Sequence, residues 1–306
     1  MSLRVGSRGS SLARKQTALF CDAVRALSPE LALELCTVVT SGDRKQGTPE
    51  AGFGDKKDWI AELETGLLSG ELDVAIHSAK DVPIDIEPGT ELIPVLRRAN
   101  PFEALLLNSS LECAASNSLK CLPSGARVGT ASLRRQAQIR WQRPDVEIVP
   151  VRGNVPTRVR KLSEEHLDGI VLAAAGLERL SLLSAQAVLL GPDEMLPAVN
   201  QGILVAQIRR EDEARIELLK RICDPATRCV FDAERALIAT IGADCHSAVG
   251  VFATLDGARL SLRAEVYAQE ERRRIEASVV GNSSEALQLG ERAGKSLILQ
   301  GAKDIL

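Results

Sequence analysis

Asp73-Val74-Ala75-Ile76-His77-Ser78-Ala79-Lys80-Asp81-Val82-Pro83 decides how the chain is read. Its first half suits a short buried strand over 73–77, and its second half is polar and closes on a proline. A strand running out into His77, Ser78, Lys80 and Asp81 places those groups at one edge of a sheet. Where helices connect parallel strands, that carboxyl edge is where ligands bind. Pro83 stiffens the exit, so the turn holds Lys80 and Asp81 in place. The plainer reading, a charged pair that caps a loop, stays open at this point.

Strand and helix alternate outward from this stretch. A strand over 3–7 leads to a helix over 11–27, with Leu12, Leu19, Ala23, Val24 and Leu27 on one face. Residues 33–40 read as a strand, and 92–96 as another. Between them, 58–68 reads as a helix capped by Asp58, with Trp59, Leu63 and Leu67 on one side. From Pro101 the pattern restarts, with strands over 105–107, 127–128, 147–151 and 169–173 and helices over 132–142 and 155–162. A strand over 203–208 follows, then helices over 213–222 and 227–241. The tail holds three strands, 248–253, 260–268 and 274–280, and a helix over 284–299. This order predicts an α/β fold with largely parallel sheets covered on both faces, closed by a small C-terminal α+β unit.

Composition narrows the function. The 306 residues are 45% hydrophobic and 26% charged, enough for two or three domains with their own cores. Lysine and arginine total 38 against 41 acidic residues, a net charge of −3, and aromatics are 3%. A general polyanion binder is usually strongly basic, and single strands need stacking rings, so no nucleic-acid partner is expected. No apolar run reaches the roughly 18 residues of a membrane span. The start shows no apolar segment of a secretory signal, so a cytoplasmic location is expected. Seven cysteines, an odd number without a C-x-x-C pair, predict neither a disulfide framework nor a metal site. Most read as small buried hydrophobes. Cys245 differs, lying in the polar stretch Ile241-Gly242-Ala243-Asp244-Cys245-His246-Ser247. Sequence neighbours point different ways, so Cys245 and His246 do not form a dyad. A loop cysteine of this kind is either an idle thiol or a point of covalent attachment.

Arginine is concentrated between 127 and 161. Arg127, Arg134, Arg135, Arg140, Arg143, Arg152, Arg158, Arg160 and Lys161 face only Asp145 and Glu147, a local balance of +7. Gly129-Thr130-Ala131-Ser132-Leu133-Arg134-Arg135 follows a strand and opens a helix, and Val151-Arg152-Gly153-Asn154 does the same. Amide groups at a helix start attract anions, and guanidinium forks grip carboxylate or phosphate bidentately. The plainer reading is a solvated basic helix face, which suits Arg140 and Arg143. Arg134, Arg135 and Arg152 stand at strand–helix junctions and read as a site.

Together these segments resemble the porphobilinogen deaminase (hydroxymethylbilane synthase) family along nearly the whole chain. The resemblance rests on Ser7-Arg8-Gly9-Ser10-Ser11-Leu12-Ala13, on His77–Pro83, on Val128–Gln136 and on Arg152-Gly153-Asn154-Val155. It continues through Leu172–Leu177, Leu196–Gly202 and Ala233-Glu234-Arg235-Ala236. The resemblance implies a transferase that joins four porphobilinogen molecules into a linear tetrapyrrole with release of ammonia. It also implies a dipyrromethane cofactor held by a thioether, for which Cys245 falls at the attachment position. On matched positions Asp81 is the catalytic aspartate. Ser78, Lys80, Thr130, Ser132, Arg134, Arg135, Arg152 and Gly153 hold the cofactor, and Arg8, Ser10, Arg158 and Arg179 meet the substrate. The implied fold has two periplasmic-binding-protein-like doubly wound domains, 1–99 with 198–218 and 100–197, and a third over 219–306 that bears the cysteine. A monomer with a small-molecule substrate is expected. The alternative is a non-catalytic cytosolic anion-binding module of the same architecture. Asp81 and Cys245 speak against it. The chain departs from the family at Ala243-Asp244 and Ala248 around the cysteine, where two glycines and a proline are usual. It departs again at Gly52, at Gly54–Trp59, and at Asn200, where a glycine is usual. Glycine permits backbone angles that Ala243 and Asp244 adopt less readily.

Overall fold

The computed structural model describes residues 2–45, 56–109, 111, 118–184, 187–244, 246–269 and 271–306. In chain order the elements begin with β1 Ser2–Arg8, α1 Ser11–Leu27, β2 Ala32–Val38, α2 Ser41–Lys45, α3 Ala61–Leu68, β3 Val74–Ser78 and β4 Thr90–Val95. There follow β5 Glu103–Leu107, β6 Arg127–Gly129, α4 Leu133–Gln142, β7 Glu147–Val149, α5 Val155–Glu164, β8 Gly169–Ala173, α6 Ala174–Arg179 and β9 Val188–Leu190. The remainder is β10 Leu204–Arg209, α7 Glu213–Arg221, α8 Pro225–Ile241, β11 Ala248–Asp256, β12 Arg259–Tyr267, β13 Arg274–Asn282 and α9 Ala286–Leu299. The chain divides into two compact units, residues 1–99 with 202–231, and residues 100–201 with 232–306.

In the first unit the sheet order is β2-β1-β3-β10-β4. β1 runs parallel to β2 and β3, whereas β10 runs antiparallel to both β3 and β4. Leu3, Val5, Val74 and Ile76 look to one face, where Phe20, Cys21 and Val24 of α1 and Ile216 and Leu219 of α7 close a core. Leu63 and Leu67 of α3 cover the other face with Leu72 and Ala75. Burying apolar area on both faces in this way is what makes the strands read as unbroken apolar runs.

The second unit repeats the pattern. Its order is β7-β6-β8-β5-β9, with β6 parallel to β7 and β8, and β5 antiparallel to β8 and β9. Each sheet thus has three parallel strands side by side and one reversed strand in fourth place. That reversed strand arrives by crossover from outside the local strand–helix series, β10 after the second sheet and β5 ahead of it. Largely parallel sheets were expected; the reversed strands make both sheets mixed. Behind the second sheet in sequence, β11-β12-β13 form an antiparallel meander. α9 packs on α8 so closely that a Cβ at Gly290 would lie 2.3 Å from the Ala233 carbonyl oxygen.

Some local expectations need correction. The buried face of α1 is Gln16, Thr17, Phe20, Cys21 and Val24, and Leu19 is exposed. Two polar residues lie on that face because each is bonded: Gln16 Nε2 donates to Ser78 Oγ at 2.7 Å and Thr17 Oγ1 to the Ala13 carbonyl at 2.9 Å. Asp58 does not cap a helix: it lies in a 3-10 turn, Lys56–Trp59, and α3 starts after Ile60 with no side-chain cap. Arg143 is no solvated helix residue. Its guanidinium donates to the carbonyls of Leu119, Leu122 and Pro123 and to Asp145, stitching the end of α4 to the 3-10 turn Leu119–Cys121. The Arg143 bond holds the Asp145 carboxyl well below the usual carboxylate range. β9 and α6 were not anticipated, being too short for their periodicity to register.

Asn200 is a structural cost. It sits at φ 56°, is fully buried, and neither polar atom of its side-chain amide has a hydrogen-bond partner. An unpaired buried polar group costs about 1–3 kcal/mol, and glycine takes the left-handed region freely. Asn200→Gly is therefore expected to raise the melting temperature by at least about 2 °C, read by differential scanning calorimetry. A fall would show that the amide is bonded in solution.

Candidate active site

The carboxyl ends of β1 and β3 carry one set of candidate groups, in the first unit. Arg8 ends β1, and Ser10 caps α1, its Oγ accepting from the Ala13 amide at 3.2 Å. β3 ends at Ser78, whose hydroxyl is oriented by Gln16, and the 3-10 turn Ala79–Asp81 follows at once. These residues, with Trp59 and His77, line one hollow that Asp81 also borders. Asp81 is exposed, and its carboxylate has no hydrogen bond or ion pair among the described residues. Arg8 is fixed on two sides: its Nη2 lies 2.6 Å from Asp43, and its guanidinium carbon sits 4.1 Å from the centre of the Trp59 ring. Burial alone would raise the Asp43 carboxyl, but hydrogen bonds from Arg8 and Thr40 hold it below its ordinary value. His77 is buried, and desolvation pushes its imidazole down to about 4, so it is neutral at pH 7. Behind it, Gln207 of β10 donates to Glu64 at 2.7 Å and to Thr90 at 2.8 Å, tying three elements beneath the β3 exit.

The carboxyl ends of β6, β7 and β8 carry a second set, in the other unit. The Thr130 amide donates to the Val149 carbonyl at 2.9 Å, joining the exits of β6 and β7. Thr130 Oγ1 accepts from the Ser132 amide at 3.2 Å, while the Ser132 hydroxyl makes no capping bond to α4. The first amides of α4 therefore have no capping acceptor from the Ser132 side chain. Arg152 is exposed and Gly153 stands at φ 117°, where a side chain would be strained and would press on Thr157. Asn154 caps α5, and Arg158 Nε donates to the Gly153 carbonyl at 2.7 Å. Arg179 ends α6; burial pushes its guanidinium down to about 10, partly offset by Glu178, so it stays charged at neutral pH.

Arg134 and Arg135 do not face solvent. Both are buried, and both grip Glu103, which is fully buried: Arg134 Nη2 at 2.5 Å and Arg135 Nη2 at 2.7 Å, one on each carboxylate oxygen. Their other Nη1 groups donate to the carbonyls of Leu196 and Val171. Burial pushes the Arg134 guanidinium down and Glu103 pulls it back up. The carboxylate their spacing foretold is thus the chain's own. The Arg135 Nε keeps no partner, and the trio carries a net charge of +1. Glu103 was missed by sequence reasoning. Its signal was a lone acid at the head of the apolar run Ala104-Leu105-Leu106-Leu107, which needs a buried cation. Replacing Arg134 or Arg135 with leucine cannot leave folding intact, as residue spacing alone would suggest.

Cys245 lies outside the described residues. The residues beside it are held by Asp244, whose carboxylate accepts from the His246 amide at 2.8 Å and the Ser247 hydroxyl at 3.0 Å. Gly54 and Gly52 also fall outside.

The trio makes a clear prediction. Arg135→Leu strands a buried carboxylate on one partner and is expected to cost about 3–5 kcal/mol of stability, measured by chemical denaturation. Arg140→Gln, at an exposed position, should cost less than about 0.5 kcal/mol. Equal effects would mean that the trio does not hold this unit together.

Comparison with known proteins agrees over the whole length. Residues 3–217 match the family model described as porphobilinogen deaminase, dipyromethane cofactor binding domain, and 227–298 match porphobilinogen deaminase, C-terminal domain. The chain is 41% identical over 305 residues to a porphobilinogen deaminase of Roseiflexus sp. (strain RS-1), covering 100% of this chain and 98% of that one. It is 38% identical over 304 residues to one from Syntrophus aciditrophicus (strain SB), covering 99% and 97%. The periplasmic aliphatic sulphonate binding protein SsuA from Escherichia coli overlies 78% of this chain and 70% of its own, with a TM-score of 0.43 and 14% identity. With both family models matched in order and relatives of this identity covered from end to end, the chain belongs to the porphobilinogen deaminase family.

Proposed function

We propose that Asp81 is the catalytic group of a porphobilinogen deaminase that joins four porphobilinogen molecules head to tail into hydroxymethylbilane, releasing ammonia at each step. Asp81 carries the reading: an exposed, unpaired carboxylate stands at the end of a buried strand, beside fixed cations and hydroxyls. An anion-binding module would put donors there, so the binding-module alternative is disfavoured.

The family's cofactor domain implies a dipyrromethane, two pyrrole rings with carboxylate arms, and the residues present fit it. Its arms need donors and its ring N–H groups need an acceptor. Thr130, Ser132, Arg152 and the amides opening α4 are donors at one carboxyl edge; Ser78, Lys80 and the acceptor Asp81 lie at the other. Gly153 leaves room for close approach because it has no Cβ. Arg134 and Arg135 add the positive charge of the Glu103 trio. Cys245 is the attachment residue. When bound, the group supplies the nucleophilic ring carbon that primes the chain.

The protein's own groups then act on porphobilinogen. Arg8, Ser10, Arg158 and Arg179 hold its acetate and propionate. Asp43 and Trp59 hold Arg8 in one orientation, so little ordering entropy is lost when it meets a carboxylate. The Asp81 carboxylate accepts the pyrrole N–H and stabilises the positive charge that spreads over the ring as ammonia departs. Charge stabilisation of this kind is worth roughly 3–4 kcal/mol. A monomer in the cytoplasm, with the three-domain division at 1–99 with 198–218, 100–197 and 219–306, completes the proposal. Among the described residues no helix is long and apolar enough to cross a membrane.

Two outcomes are expected. Protein from cells that make porphobilinogen should exceed its sequence mass by two pyrrole units, and Cys245→Ser should lack both the addition and the activity. An active, unmodified protein would refute the attachment. Asp81→Asn should keep its circular dichroism while ammonia release falls by about 10²–10³-fold. Near-normal turnover would leave Asp81 only a loop-shaping role.

A further inference from the structure

A groove in the second unit lies apart from the residues assigned above. One wall is the stripe Leu133, Ala137 and Trp141 along α4; the other is Tyr267 at the end of β12 and the turn after it. Trp141 meets Tyr267 edge to face, with ring centres 6.1 Å apart. Tyr267 is buried, its hydroxyl donates to Glu265, and burial raises its pKa, so the phenol is neutral and backs the Trp141 ring. Arg272 packs 5.2 Å from the Trp141 ring centre and donates to the Trp141 carbonyl at 3.2 Å. Neither Arg272 nor the exposed Arg140 makes an ion pair among the described residues. Arg273 and Glu271, 3.8 Å apart, offset each other, so the lining keeps a net charge of +2.

Aromatic walls beneath unpaired guanidinium groups fit one chemistry, a ring system bearing carboxylates. An apolar ring would leave the arginines unused, and a simple anion would leave the walls unused. The groove also touches the cofactor chemistry at both ends. Leu133 follows Ser132, and Gln269 Nε2 donates at 2.7 Å to the carbonyl of His246, the neighbour of Cys245. We propose that this groove is a second, non-covalent binding site for a carboxylate-bearing pyrrole chain or macrocycle, coupled through Gln269 to the loop that carries Cys245. The choice of a pyrrole occupant rests on the deaminase reading, whose product is such a chain.

The test is a fluorescence titration of the holoprotein with uroporphyrin I, a macrocycle of carboxylate-bearing pyrroles. The chain has two tryptophans, so a Trp59→Phe background leaves Trp141 as the sole reporter. Saturable quenching is expected, weakening with salt. In the same background, Arg140→Gln with Arg272→Gln should raise the dissociation constant by about 30-fold or more. Arg140→Gln alone, at an exposed side chain, should raise it by about fivefold and keeps the test should the double variant not fold. An unchanged constant in these variants, or no saturable quenching at millimolar ligand, overturns the proposal. So does displacement by AMP at lower concentration, which would assign the groove to nucleotides. With Trp59 kept, the Arg140→Gln, Arg272→Gln protein should release ammonia at the wild-type initial rate. A wild-type protein that releases none refutes the deaminase reading, while the titration still decides whether carboxylated macrocycles bind here.

Discussion

A single buried carboxylate organises the arginine-rich unit. Glu103 begins β5, the reversed strand of its sheet, and its two oxygens take one guanidinium each from adjacent residues of α4. Those arginines also bond carbonyls at Leu196 and at Val171 in the middle of β8, so one acid fixes a helix against two strands and a connecting segment. Two cations buried on one anion are tolerable only because nearly every donor is matched. The start of α4 is thereby fixed, and with it the Thr130–Ser132 turn that leads into it.

The carboxyl edges of the two sheets differ in chemical character. In the arginine-rich unit the carboxyl edge presents hydroxyls, amides and guanidinium groups, which suits an anion. In the other unit the same edge presents an unpaired carboxylate beside Arg8, which Asp43 and Trp59 already hold. A polycarboxylate whose rings carry N–H groups needs both characters. Repeating one topology and varying its edge residues supplies them without a new fold.

Much of this was legible in the sequence. The helix over 11–27 and the strand over 169–173 are found with those bounds, because each is bounded by strong signals: a serine cap at one, flanking polar and helical segments at the other. Asp81 was placed at a strand exit because apolar Val74-Ala75-Ile76 gives way abruptly to polar residues. What failed were readings that depend on long-range partners. Arg143 looked like a solvated helix residue until three carbonyls from the 119–123 turn met it. The hold of Arg134 and Arg135 on Glu103, about thirty positions away, was likewise invisible to local pattern. The rotated face of α1 escaped because hydropathy ranks Gln16 and Thr17 as outward, and only their hydrogen bonds permit burial.

On the proposed function, a carboxylate at the end of β3 drives repeated deamination of one substrate. This is tested most directly by stoichiometry: purified protein supplied with porphobilinogen, with ammonia and hydroxymethylbilane measured together over the first turnovers. Four ammonia molecules are expected for each bilane released. Substrate that binds without releasing ammonia, or ammonia in another ratio at steady state, would contradict it.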